Sequence, residues 1–291
     1  MKLREGELYA QVAFSAAPEQ GFEAGGHGVL KGGSAWMPDN QINGVDFVLP
    51  FRFSEGAWQL GTRGPISLRI AEVVNQVTVK NIAADLQGAY PWSEDNPLLL
   101  SDVSAELLGG KVIMQQLRMP QHDPALLRVQ NISSSELISA VNPKQFAMSG
   151  PVSGALPLWL DNEKWIIKDG WLTNPGPMTL RIDKDTADAV VKDNMAAGAA
   201  INWLRYMEIS HSWTKINLDN LGVLTMQATV TGNSRVDGKV GTVNLNYTHE
   251  ENVFTLWRSL RFGDNLQAWL EQNAALPESH CPEGKECEEQ Q

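Results

Sequence analysis

The stretch from Gly176 to Ile182 reads GPMTLRI, and the stretch from Gly64 to Ile70 reads GPISLRI. In both, apolar positions alternate with polar ones behind a Gly-Pro step, the pattern of a strand returning from a turn with one face buried. The likeness extends backwards. Leu49-Pro50 is followed by Trp58 and Leu60, and Leu156-Pro157 is followed at the same spacing by Trp165 and Ile167. Each copy reads Leu-Pro, strand, polar turn (SEG at 54–56, DNE at 161–163), Trp-bearing strand, Gly-Pro turn and closing strand. The second copy is longer between Trp and Gly, as a lengthened loop would make it. Repetition at about 41–70 and 148–182 predicts one extended body of similar β units, with chance likeness of two hairpins as the alternative.

Composition narrows the function classes. The chain has 291 residues, 43% of them apolar, and a net charge of −11. Apolar residues suffice for a large buried surface, while the acidic balance offers no basic stripe for phosphates and argues against nucleic acid. No run approaches the ~18 apolar residues of a spanning helix. The start, MKLREGELYAQ, lacks the apolar core of a signal peptide and passes at once into a strand with Leu8, Ala10, Val12 and Phe14 on one face. The chain is therefore expected to be a piece of something longer, with any membrane anchor outside it. Both cysteines, Cys281 and Cys287, lie in the acidic tail. They suit a disulfide across a Pro-Gly loop in an oxidising compartment; free thiols or a metal site with His280 are the alternatives.

Along the chain the pattern is mostly of period two. Val45, Phe47, Leu49, Phe51 and Phe53 alternate with other residues, then Ile66, Leu68 and Ile70. Val77 and Val79 are followed by a slip of phase to Ile82, Ala84 and Leu86, which calls for a bulge or turn if one face is to stay buried. SAELLGGKVIMQQLRMP (104–120) reads as two strands about Gly109-Gly110. SSSELISAV (133–141) reads as a short helix capped by Ser133 or Ser134, with Glu136 in its first turn. The spacing predicts a β segment over 1–184, a long helix over 185–208, strands over 209–250, helices over 251–276 and a mobile tail over 277–291. The cleanest alternation is at Leu224, Met226, Ala228 and Val230, and at Val243, Leu245 and Tyr247.

Catalytic patterns are weak. The five histidines (His27, His122, His211, His249, His280) are scattered, and none has a zinc-protease spacing. GGHGVLKGG (25–33) has glycines at the wrong spacing for a dinucleotide loop, and GGK (109–111) is followed by Val112 where a phosphate-binding loop has Ser or Thr. No nucleophile elbow is present, so a non-enzyme without cofactor or metal is expected. Ten tryptophans stand mostly on strands and at turns. They suit ordinary packing, sugar-stacking platforms, or the boundary between an apolar surface and water.

The run from Ser133 to Ile182, with its short helix, Gly-rich strand, Leu-Pro and Pro-Gly turn, resembles the YdbH-type members of the AsmA-like envelope proteins. VTGNS (230–234) and the passage NLNYTHEENVFTLWRSLR (244–261) are similar to the end of the same proteins. The resemblance implies a mainly β fold: an elongated, curled, antiparallel-rich sheet forming an open groove in the periplasm of a bridge between two membranes. It further implies movement of phospholipid, anchoring in the inner membrane by parts outside this chain, and a small outer-membrane lipoprotein of the YnbE type as partner. The groove-lining candidates are then Val45, Phe47, Leu49, Phe51, Phe53, Ile66, Leu68, Ile70, Leu224, Met226, Val230, Val243, Leu245 and Tyr247. The edge expected to receive the lipoprotein is Gly241–Thr248, with Gly241, Thr242, Asn244, Asn246 and Thr248 as candidates. A docking module without lipid and a glycan-binding β protein are the competing readings.

Overall fold

Alternating apolar and polar side chains favour extended backbone, and extended backbone must find its hydrogen bonds on a neighbour. The computed structural model describes residues 2–19, 21–37, 40–75, 77–141, 146–183, 205–236 and 238–253. In chain order these form β1 (Lys2–Ala17), β2 (Gly21–Met37), β3 (Asn40–Ser54), β4 (Ala57–Leu60), β5 (Ile66–Val74), β6 (Val79–Tyr90), β7 (Leu98–Leu107), β8 (Gly110–Met119) and β9 (Ala125–Ser133). The short helix α1 (Ser134–Val141) follows, then β10 (Phe146–Ser149), β11 (Pro151–Leu158), β12 (Trp165–Thr173), β13 (Met178–Ile182), β14 (Tyr206–Asp219), β15 (Val223–Val236) and β16 (Lys239–Asn252). All the described strands join one antiparallel sheet, in which most pair with their neighbours in sequence. The expectation of a mainly β, antiparallel fold is met.

Three pairs of strands run end to end: β4 with β5, β10 with β11, and β12 with β13. β4 and β5 both lie between β3 and β6; β12 and β13 both lie against β14. The two Gly-Pro steps therefore do not turn hairpins. They sit in short excursions (61–65 and 174–177) that interrupt a single return strand, the first tied back by Gly61 N–H donating to the Pro50 carbonyl at 2.9 Å. The hairpin reversals are the polar turns before each Trp. Glu55 and Gly56 both take positive φ (53° and 76°), as a tight two-residue reversal requires. The extra residues of the second copy lengthen a strand and not a loop, since β12 has nine residues where β4 has four. The turn between β7 and β8 is likewise Leu108-Gly109, with Leu107 opposite Gly110.

The slip of phase after Val79 has a physical answer. Asn81 takes φ 49°, and the register against β7 shifts between Lys80 and Ala83. One extra residue on β6 restores the apolar set to its original face. The same device recurs at Asp102 (φ 51°), Asn131 (φ 52°) and Asp169 (φ 57°). Asn and Asp tolerate this region better than other residues with a Cβ. Gly44 (φ 63°) does the same on β3, where a Cβ would press on the Ala71 side chain.

The helices are corrected in part. α1 forms as expected, with the Ser133 hydroxyl accepting from the Glu136 N–H at 3.3 Å. The long helix and the C-terminal helix are not borne out. Tyr206–Glu208 begin β14, which pairs with β13 and β15, and Glu251 and Asn252 end β16 against β15. Ladder bonds and burial of Met207 and Ile209 outweigh the modest helix propensity of these residues. Residues 185–204 and 254–276 of the predicted helices, and the tail with Cys281 and Cys287, lie outside the described residues.

Replacing Asn81 by Val should destabilise the sheet by about 1–2 kcal/mol, because a β-branched residue resists positive φ, whereas Asn81→Gly should change stability little. Urea unfolding of the two variants checks this; equal midpoints would show that the left-handed bulge carries no strain.

Candidate functional site

Directly opposed residues in an antiparallel pair project to the same face, so the register traces each face across the sheet. At one end Leu224, Met226 and Val230 share a face with Leu245 and Tyr247 through the pairs Val230↔Leu245 and Ala228↔Tyr247; Val243 joins them opposite Gly232. Met226 and Leu224 oppose Ile216 and Leu218 of β14. Ile216 and Ile209 lead to Gly170 and Met178. From there the face passes through Leu158, Ala125, Leu127, Met114, Leu117 and Leu100 to Leu86. Leu86 opposes Ile66, Ile70 opposes Val45, and Leu68 opposes Phe47. Leu49, Phe51 and Phe53 continue along β3 opposite Gly28, Gly26 and Ala24 of β2, and those oppose Ala10, Val12 and Phe14 of β1. All fourteen apolar candidates named from the sequence thus fall on a single face.

The other face is polar. Gln227, Thr229 and Thr231 stand opposite Thr248, Asn246 and Asn244. Arg69 donates to Asp85 at 2.7 Å, and this hydrogen bond holds the Asp85 carboxyl below the usual carboxylate range. Lys215 does the same to Asp169 at 2.8 Å. On a loop at the strand ends, Glu94 is lowered chiefly by its hydrogen bond with His122. Trp171 and Trp213 stack on this face with ring centroids 5.1 Å apart. A cleft of about 1000 Å³ also opens on the polar side, beside the first Gly-Pro excursion, among Gln11, Ser15, His27, Arg52 and Arg63. Apolar groups, among them Val48, Pro50 and Phe51, line it alongside the polar ones.

What covers the apolar face decides its meaning. The extensive contacts between described elements are those of sheet neighbours, with α1 seated against β9 and β10, and all the described strands belong to one sheet. Two clusters are buried: Met114, Leu117, Met119 and Ala125 near the middle, and Met178, Met207 and Ile209 farther on. The sequence reading did not single out these central residues. On β8 the signal is hidden because Met114 and Leu117 flank the exposed pair Gln115-Gln116 and break the period of two. At the ends the face lies open, with Leu8, Val12, Phe14 and Tyr247 exposed.

The edge candidates Gly241, Thr242, Asn244, Asn246 and Thr248 lie on β16, whose sole ladder among the described residues is with β15; β1 likewise pairs only with β2. Among the described residues the sheet is therefore open at both ends. GGHGVLKGG runs within β2 as strand, and GGK forms the β7–β8 turn and the start of β8. No group of three metal-ligating side chains occurs among the described residues, and no described helix is long and apolar enough to cross a membrane.

Comparison with known proteins places these features in a family. Residues 1–275 match the family model described as YdbH-like, intermembrane phospholipid transport protein YdbH. The chain is 82% identical over 291 residues to the probable phospholipid transport protein YdbH of Escherichia coli (strain K12), covering 100% of this chain and 33% of that relative. The chain thus spans about one third of the length of the relative it matches. No solved structure matches it. A match running almost end to end, on a sheet that divides apolar from polar residues by face, establishes that the chain belongs to the YdbH-like family.

Proposed function

We propose that this chain is a periplasmic segment of an intermembrane bridge, whose sheet curls about its apolar face into an open groove that shields phospholipid acyl chains. The observation that carries this reading is an apolar face continuous from β1 to β16 in a single sheet that takes in every described strand. Met207 supports the curl: it is 0% exposed although every described strand belongs to the one sheet. Side chains on a flat single layer would keep access to solvent, while on a concave one they converge. The repeated bulges favour such curvature, because each adds a residue to one strand and bends it.

The energetics suit passage. Removing acyl methylenes from water is worth roughly 0.8 kcal/mol each, and an open sheet leaves the headgroup in solvent throughout. The gain is alike along the groove, so a lipid can move without crossing a high barrier. Direction must come from outside the segment, and contact with both membranes belongs to parts beyond this chain. The family description and the name of the Escherichia coli relative agree with a phospholipid as cargo. An ionised carboxylate on the apolar face would be costly beside acyl chains. Met226→Asp and Leu68→Asp should therefore lower phospholipid co-purifying with the protein by about tenfold, and Gln227→Asp on the polar face should leave it unchanged. Equal lipid in all three, with the fold retained, would sink the groove.

The unpaired side of β16 suits a small outer-membrane lipoprotein of the YnbE type, adding a strand by β-augmentation. Of two neighbouring residues on a strand, one N–H faces β15 and the next faces outward. One of the pair Val243→Pro and Asn244→Pro should thus keep the β15 ladder yet lose the lipoprotein in a pull-down. If the variant that stays folded binds as well as the wild type, the docking edge lies elsewhere.

A further inference from the structure

The two rims of the apolar face differ in chemistry. Near one end of the strands a single register file runs Phe14, Ala24, Phe53, Trp58 and Tyr90, crossing from β1 to β6. Phe22 adds to it, with its ring 5.9 Å from that of Phe53; Phe53 and Trp58 lie 5.0 Å apart, and Tyr90 meets Trp92 of the next loop at 5.6 Å. Phe14, Phe22, Trp58, Tyr90 and Trp92 are all exposed. At the opposite end of the same strands the corresponding file is Ala35, Ile42, Val73, Val79 and Leu107. The sheet thus carries a band of rings along one rim and an aliphatic file along the other.

Rings of this kind have a preferred place. Trp and Tyr combine an apolar body with a polar N–H or O–H tip, and they collect where hydrocarbon gives way to headgroup. We infer that the aromatic rim is where the glycerol-ester and headgroup portion of a bound phospholipid sits, with its acyl chains laid along the strands toward the aliphatic rim. This orientation rests on the groove reading above and adds a polarity to it. Dimensions allow it. From Phe53 to Ile42 the strand spans roughly 36 Å at about 3.3 Å per residue, and one leaflet of hydrocarbon is about 15 Å deep. A chain starting at the aromatic rim would end near Leu49 and Ile66, one step short of Phe47 and Leu68 and still on the apolar face.

The test places the photoreactive residue p-benzoylphenylalanine at Trp58, Leu68 or Val73, one at a time, in the protein as it occurs in cells. Mass spectrometry then maps where each crosslinked phospholipid is attached. The expected result is attachment to the headgroup-glycerol portion from Trp58 and to the acyl chains from Leu68, with any adduct from Val73 confined to acyl chains. Headgroup-glycerol adducts from Val73 as frequent as those from Trp58, or none from Trp58 while Leu68 still labels, would overturn the orientation. Absence of lipid at all three positions would instead remove the groove itself.

Discussion

An antiparallel sheet satisfies its backbone within its own plane but cannot hide its apolar face by itself. That constraint governs this structure. Ordinary domains solve it with a second layer, a sheet or helices packed on the first. Here the ladders run from β1 to β16, one face stays apolar along them, and the extensive described contacts are those between neighbours in the sheet. That β1 and β16 each have one ladder among the described residues follows from the same plan, since an open sheet ends in edges.

Keeping one face apolar over strands of up to seventeen residues is itself a problem, because such strands twist and drift in register. The bulges at Gly44, Asn81, Asp102, Asn131 and Asp169 answer it locally. Each inserts a residue where the apolar sequence changes phase, so Leu98 and Leu100 pack with Val103 despite the odd spacing between them. Bending and the preservation of the face are thus one device. The polar face pairs its charges instead, with Arg69 on Asp85 and Lys215 on Asp169, so that charge and hydrocarbon stay separated by the thickness of the sheet.

Much of this was legible in the sequence, and the failures share a cause. Alternation at Leu224–Val230 and Val243–Tyr247 reports strand and face together, because a half-buried strand writes its environment with period two. The slip after Val79 announced a bulge, and Asn81 is where it falls. Gly64-Pro65 and Gly176-Pro177 misled, since a chain reversal and a break within a strand demand the same residues; only pairing with β6 and β14, distant in sequence, tells them apart. Tyr206–Glu208 misled for a related reason, as helix formers drawn into a strand between β13 and β15. The face around Met114 and Leu117 went unread because its bulge scrambles the period, while the asymmetry of the two rims emerges only when strands are aligned side by side.

The most direct test of the account compares two neighbours on β15 in cells. A photoreactive residue at Met226, on the apolar face, should crosslink to phospholipid, and the same residue at Gln227, on the polar face, should not. Lipid at both positions, or at neither while the protein remains folded, would contradict the claim that this sheet carries acyl chains on one face alone.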